Sequence, residues 1–136
     1  MIQKDQVRNL FKNLETGHGD EFFARVRDDV VWQVMGTHPL AGTYSSKSDF
    51  FHATFERLNR IMNEGVVLKV VDVYLDGQVA IVEMQSLSTA HNGKPFDNRY
   101  CWVCTFDESG MIGKVRAYLD SALVAAVIAE NETVPN

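Results

Sequence analysis

The amino-acid sequence predicts an α+β protein whose helices cover one side of a curved, mostly antiparallel sheet. In the first half of the chain, apolar residues recur at the spacing of amphipathic helices. From residue 66 onward, four strand-like runs follow one another, separated by the turn sequences DG, HNGKP and DESG. Helices followed by consecutive hairpin-linked strands are typical of this fold class.

Size and composition indicate one globular domain, which we expect to span residues 1–136. The formal charge is -5 and the Lys and Arg residues are not clustered, so we expect no binding to nucleic acid or to an anionic membrane surface. The N-terminal MIQKDQVRNL lacks the apolar stretch of a secretory signal, and no apolar run reaches the roughly 18 residues of a membrane span. We therefore expect a cytoplasmic protein.

Three helices are predicted before the strand-rich half. The first covers residues 4–15, where four apolar residues recur at i, i+3, i+4 and i+7. A shorter helix follows over residues 21–26, with Asp20 as its cap. Ser46, with Asp49 three residues later, has the pattern of a capping box and begins a long third helix that ends at the sequence NEG.

Five strands and a last helix complete the predicted elements. The first strand covers residues 28–36 and ends at a glycine. The last helix covers residues 120–132 and packs on the body or on a second subunit. The other four strands cover residues 66–75, 79–90, 98–106 and 112–119.

The two cysteines, Cys101 and Cys104, have the spacing of redox motifs. Their surroundings, RYCWVCTF, favour a strand, and on a strand residues three apart point to opposite faces. We therefore expect two structural thiols and no redox pair.

The order of elements resembles the family of nuclear transport factor 2, ketosteroid isomerase and the SnoaL-like polyketide cyclases. The matching pieces are VVWQVMGTHPLAGTY, NGKP, FDESGMIGKV and RAYLD, and the resemblance covers nearly the whole chain. It implies a cone-shaped roll whose N-terminal helices close a bent sheet around a mostly apolar pocket for a small organic molecule. Relatives are commonly dimers through the outer sheet face, which implies a homodimer.

The resemblance does not extend to the catalytic groups of ketosteroid isomerase. That enzyme uses an Asp base, with a Tyr and a protonated Asp that hold the oxyanion. The aligned positions here hold Gln33, Phe11 and Trp102, which do not supply that chemistry. The resemblance therefore supports the pocket and argues against the isomerase mechanism.

Strand alternation, with the parity set by this alignment, predicts which side chains line the pocket. If Gln33 faces the pocket, Val31 and Met35 do so too, and the same reasoning on the next strands includes Leu87 and Cys104. The expected polar lining consists of Gln33, Glu83, Gln85, Asn98, Tyr100 and Trp102. Such a pocket is mixed in character, with one acid among neutral hydrogen-bonding groups.

Two carboxylates are candidate acids or bases. Glu83 interrupts an apolar run, so an inward Glu83 is a candidate general acid or base; the alternative is an outward Glu83 that pairs with Arg99. Asp120 lies near the position where some SnoaL-like cyclases place an acid-base aspartate. The alternative is that Asp120 caps the last helix.

His38 lies in the loop GTHPLAG, either as a rim histidine or as a group that touches ligand. No metal-binding spacing joins the four histidines, and no phosphate-binding loop or dinucleotide fingerprint is present, so we expect neither a metal nor a cofactor. Three hypotheses about function follow. The first is proton-transfer catalysis such as isomerisation, cyclisation or dehydration, with Glu83 or Asp120 as acid or base. The second is non-catalytic binding of a small ligand, and the third is a protein-interaction dimer.

Overall fold

The computed structural model describes residues 2–132, and its central feature is one six-stranded mixed sheet. The helices are α1 (Lys4–Lys12), α2 (Gly19–Phe23), α3 (Lys47–Ala53), α4 (Phe55–Asn59) and α5 (Ser121–Glu132). The strands are β1 (Val26–Val34), β2 (Gly42–Tyr44), β3 (Leu68–Asp76), β4 (Val79–Ser86), β5 (Ser88–Thr89), β6 (Pro95–Phe96), β7 (Arg99–Phe106) and β8 (Ile112–Leu119). The predicted α+β class and the positions of the main strands are confirmed.

The sheet order is β2-β1-β8-β7-β4-β3, and β5 pairs with β6 separately. Strand β1 runs parallel to β8, while the other neighbours in the large sheet are antiparallel. The register shifts in three of these pairs, between β1 and β8, β3 and β4, and β7 and β8. Such irregularities bend strands and increase their twist.

Aromatic side chains form the core between the inner face of the sheet and the helices. Trp32 of β1 stacks on Phe50 of α3 with ring centroids 3.7 Å apart, and it meets Trp102 of β7 edge-on at 5.1 Å. Phe11 of α1 packs edge-on against Phe22 of α2 at 4.9 Å. Aromatic contacts, which prefer such offset and edge-to-face arrangements, therefore join α3 to the sheet and α1 to α2.

The predicted long third helix is divided into two short helices, because the helical backbone is interrupted at Thr54. The Thr54 hydroxyl donates to the Phe50 carbonyl at 2.7 Å, and the backbone there has φ -121° and ψ -74°, outside the helical region. A threonine that bonds the carbonyl one turn earlier competes with the helical backbone pattern. The sequence analysis also did not predict β2, the short strand that follows β1.

The predicted helix caps are confirmed in part. The Ser46 hydroxyl accepts from the Asp49 N–H at 3.0 Å and caps α3 as expected. The cap predicted at Asp20 is wrong, since α2 begins at Gly19 and Asp20 lies inside its first turn. Cys101 and Cys104 are both free thiols, the first half-buried and the second buried, as their strand positions predict.

Helix α5 is joined to α4 by an ion pair in which the Arg57 guanidinium donates twice to the Glu132 carboxylate, at 2.8 and 2.9 Å. This pair raises the pKa of Arg57 and lowers that of Glu132. Within the part of the chain that the structure describes, no helix is both long enough and apolar enough to cross a membrane.

Candidate functional site

A cleft of about 650 Å³ opens between the α1–α2 region and helices α3 and α4. We call it the outer cleft. Its apolar part consists of Leu14, Phe23, Phe51, Phe55 and Val66. Its polar part consists of Asn13, Asp20, Asp28, Lys47, Ser48, Asn59 and Glu64.

A much smaller space, the inner slot, lies between the sheet and helices α3, α4 and α5, with a volume of about 40 Å³. This is room for about one water molecule. It is lined by Trp32, Val34, Leu40, Phe50, Thr54, Phe55, Leu58, Val66, Leu68, Tyr100, Trp102, Ala117, Leu119 and Val124. None of these lining residues is charged, so the slot is apolar apart from the indole, hydroxyl and backbone groups at its wall.

The outer cleft and the inner slot share a wall, because Phe55 and Val66 line both. The Phe55 ring contacts Phe23 at 5.3 Å and Trp102 at 6.2 Å between ring centroids. A displacement of Phe55 would therefore join the two spaces into one site.

Two residues that line the inner slot each have a polar atom with no hydrogen-bond partner. The indole nitrogens of Trp32 and Trp102 are buried and make no hydrogen bond, and they are the only such buried side-chain atoms among residues 2–132. An indole N–H is a donor only, so each of these groups can be satisfied by an acceptor atom. Most buried polar side-chain atoms in proteins do have a partner, so two exceptions on neighbouring rings are unusual.

The charged groups of the outer cleft are partly tied to one another. The Lys47 ammonium donates to the Phe23 carbonyl at 3.0 Å and lies 3.3 Å from the Asp28 carboxylate. The cleft also contains Asp20 and Glu64, so its carboxylates outnumber its single ammonium group. Its electrostatics do not favour an anionic ligand.

Two residues predicted for the pocket lie at the inner slot. Trp102 and Tyr100 both line it, on the face of β7 that alternation predicted. Burial raises the pKa of Tyr100, an effect that hydrogen bonds with Asn98 and Ser86 oppose. The Tyr100 hydroxyl is therefore protonated and able to donate at neutral pH.

Asn98 is buried as predicted, but its amide is engaged by the backbone. Its side-chain oxygen accepts from the Asp120 N–H at 3.0 Å, and its NH2 group donates to the Asp120 carbonyl at 3.4 Å. These two bonds join the start of β7 to the end of β8. The sequence predicted that Asn98 contacts a ligand, but its amide instead holds two strands together.

The predicted inward orientation is wrong for Gln33, Glu83 and Gln85. On β1, the buried residues are Trp32 and Val34, and Gln33 is exposed between them. On β4, alternate residues from Ala80 to Ser86 are buried, which leaves both polar side chains on the outer face. A slip of one residue in the parity of a strand reverses every side chain, and this is what the alignment introduced.

The outward Glu83 has a hydrogen-bond partner on the neighbouring strand. Its carboxylate accepts from the Tyr74 hydroxyl at 3.0 Å, and Tyr74 is 45% exposed. Val31 and Leu87, which were predicted to share these inward faces, also point outward, since both are among the exposed large apolar residues. Glu83 lines neither the outer cleft nor the inner slot, so its predicted role as acid or base has no support from the geometry.

Asp120 is the cap of α5. Its carboxylate accepts from the Leu123 N–H at 3.1 Å, and its side chain is exposed. This is the helix-cap alternative that the sequence left open. Asp120 lines neither space, and the geometry gives no support to an acid-base role for it.

His38 is buried and bonded within its own loop. Its Nε2 lies 2.9 Å from the Met35 carbonyl oxygen, and its Nδ1 accepts from the Leu40 N–H at 3.1 Å. Both ring nitrogens are therefore used by the backbone of the strand-to-helix connection. His38 fixes the loop and lines neither the outer cleft nor the inner slot.

The sequence reasoning missed Trp32, Phe50 and Phe55 as site residues. The signal was present in part, because Trp32 lies in the predicted first strand and Phe50 and Phe55 lie in the predicted third helix. A metal site has no candidate in the described part of the chain, since no three His, Cys, Asp or Glu side chains are grouped there.

Comparison with known proteins gives a consistent family assignment. The family model described as a SnoaL-like domain matches residues 7–115. A curated relative, the dimerizing cyclase phiC of a fungal species, is 28% identical over an alignment of 134 residues that covers 96% of this chain and 59% of that protein. The chain thus spans well under two thirds of the length of this relative.

Solved structures show the same fold. An NTF2-like protein from Burkholderia thailandensis has a TM-score of 0.78 and 25% identity, with 94% of this chain and 98% of that chain covered. A protein of ketosteroid isomerase-like fold from Catenulispora acidiphila, in complex with trimethylamine, has a TM-score of 0.70 and 12% identity, with coverage of 98% and 96%.

Proposed function

The chain belongs to the SnoaL-like domain family and has the NTF2-like fold, and from this premise we propose that it binds a small, partly apolar organic molecule in the outer cleft. The observation that carries this proposal is the group of three phenylalanines that lines the outer cleft. A cleft of about 650 Å³ lies within the range of small-molecule sites, and Phe23, Phe51 and Phe55 give it an apolar surface beside a few polar groups. A protein of the same fold in complex with trimethylamine is consistent with this reading.

Catalysis of proton-transfer reactions such as isomerisation, cyclisation or dehydration is the finer proposal for this site. The name of the curated relative, a dimerizing cyclase, supports it. Trp32, Tyr100 and Trp102 line the inner slot, and their side chains carry hydrogen-bond donors, a type of group that stabilises negative charge on an oxygen atom. The two carboxylates predicted as acid or base, Glu83 and Asp120, line neither the outer cleft nor the inner slot, so binding is better supported than catalysis by either of them.

The binding proposal is tested with 2-naphthol as the probe and ligand-observed NMR as the measurement. We expect saturable binding, and we expect Phe51→Ala to weaken it about fivefold because a cleft-facing ring is lost. The matched control is Val71→Ala, an exposed β3 position that lines neither space. Absence of saturable binding, or equal weakening by both variants, would refute the proposed site.

Self-association through the outer face of the sheet is the second proposal, and exposed apolar side chains favour it. Val31 on β1, Tyr74 on β3 and Tyr118 on β8 are 43%, 45% and 44% exposed on that face. We expect light scattering to give the mass of two chains, and we expect Tyr118→Glu to shift the protein toward one chain. The control is Glu108→Gln in an exposed turn, and a wild-type protein that elutes as one chain contradicts the dimer.

A further inference from the structure

We propose that the outer cleft selects ligands that carry a positive charge, namely a protonated amine or a quaternary ammonium group attached to an apolar body. This inference rests on the proposed binding function and names the class of ligand. Three features of the cleft support it: the arrangement of its aromatic rings, their exposure, and the balance of charge along its wall.

The first step is the arrangement of the three phenylalanine rings that line the cleft. The rings of Phe51 and Phe55 are nearly parallel, with an interplanar angle of 6° and centroids 6.4 Å apart. The ring of Phe23 is nearly perpendicular to both, at 83°, and its centroid lies 5.3 Å from each of theirs. Aromatic side chains grouped around a concave site are a common means of binding ammonium groups, because the negative face of a ring attracts a cation.

The second step is access to these rings. Phe51 and Phe55 are only half-buried, and both line the cleft. Part of the surface of each ring is therefore open to a ligand without any movement of the protein. The same surface can contact the apolar body of the ligand, so one wall serves both parts of an organic cation.

The third step is the charge of the cleft. Asp20 of α2 and Glu64, which follows α4, both line the cleft, and within residues 2–132 neither carboxylate has a hydrogen-bond or ion-pair partner. The ammonium group of Lys47 is already engaged, since it donates to the Phe23 carbonyl at 3.0 Å and lies 3.3 Å from the Asp28 carboxylate. The negative charges of Asp20 and Glu64 are therefore left to act on a ligand. They favour a cation and oppose an anion, with a range of about 10 Å at about 0.1 M salt.

The experiment compares three phenols that differ in the charge of the group opposite the hydroxyl. The cation is 4-hydroxyphenyltrimethylammonium, its neutral counterpart is 4-tert-butylphenol, in which carbon replaces the charged nitrogen, and the anion is 4-hydroxybenzenesulfonate. Ligand-observed NMR titrations of the wild-type protein measure the three dissociation constants, at low ionic strength and at a slightly acid pH that keeps the phenols neutral and the carboxylates ionised. We expect the cation to bind about fivefold more tightly than 4-tert-butylphenol, and the anion to bind most weakly.

The three titrations separate this inference from the proposed binding function. If 4-tert-butylphenol bound as tightly as the cation or more tightly, the preference for a cation would be overturned and the binding function would stand. Tighter binding of the sulfonate than of the cation would overturn the preference in the same way. If none of the three phenols showed saturable binding, the proposed binding function would fail and the preference with it.

A pair of double variants locates the preference in the cleft. Asp20→Asn with Glu64→Gln should reduce the preference for the cation to about twofold or less, while the affinity for 4-tert-butylphenol changes little. The matched control, Asp76→Asn with Glu108→Gln, removes the same charge at exposed positions that line neither space, and we expect it to keep the fivefold preference. A preference that survives in the first variant, or that falls equally in both, contradicts the role of the two cleft carboxylates.

Discussion

Replacement of Phe50 by alanine is expected to lower the free energy of unfolding by about 4 kcal/mol, because a buried ring is lost and a cavity remains. Phe50 is 3% exposed, stacks on Trp32 at 3.7 Å and meets Tyr44 edge-on at 5.9 Å. It therefore joins α3 to β1 and to β2. Urea unfolding followed by circular dichroism measures the change.

The adjacent residue on the same helix is the matched control. Phe51 is half-buried and lines the outer cleft, so Phe51→Ala should cost less than about 1.5 kcal/mol while it weakens ligand binding. If Phe51→Ala destabilised the protein as much as Phe50→Ala, the division between a core face and a cleft face of α3 would be incorrect.

Replacement of Asn98 by alanine is expected to lower the free energy of unfolding by about 2 kcal/mol. The variant loses both hydrogen bonds to the Asp120 backbone, and the Asp120 N–H is left without the Asn98 oxygen as its acceptor. Asn98 is 1% exposed, so water does not readily replace the amide. The same urea titration measures the loss.

Asp97→Ala is the control for Asn98, because Asp97 is the exposed neighbour in the chain. It should change stability by less than about 0.5 kcal/mol. A fully stable Asn98→Ala variant that no longer binds the probes would restore the ligand-binding role that the sequence predicted for Asn98.

Much of the fold was predictable because local patterns and tertiary structure agree. The apolar spacing of residues 4–15 and the turn sequences between the later strands are signals that tertiary contacts reinforce. The alternation on β7 was also correct, since Trp102 and Cys104 are both buried and share one face. The Ser46 cap was also correct, because its hydrogen bond joins two residues only three positions apart, and such local features are predictable from sequence.

The faces of β1 and β4 were not predictable from the alignment. In β4, the first four residues are all apolar, so the pattern near Val79 does not distinguish the two faces. The parity was taken from a remote resemblance, which placed Glu83 inside. The cost of burying a carboxylate without a partner favours the outward orientation that the structure has.

The break at Thr54 and the shared wall at Phe55 depend on contacts between distant segments. A sequence reading treats residues 47–62 as one amphipathic stripe, and no local signal requires the helix to stop. The inner slot is likewise formed by four β strands and three helices, so its volume and its two unpartnered indoles are visible only in three dimensions.

A crystal structure of the protein with bound 2-naphthol is the most direct test of the proposed site. We expect the ligand in the outer cleft, with its rings against Phe23, Phe51 and Phe55. A ligand found on the outer face of the sheet, beside Gln33, Glu83 and Gln85, would contradict the site and favour the polar lining first predicted from the sequence.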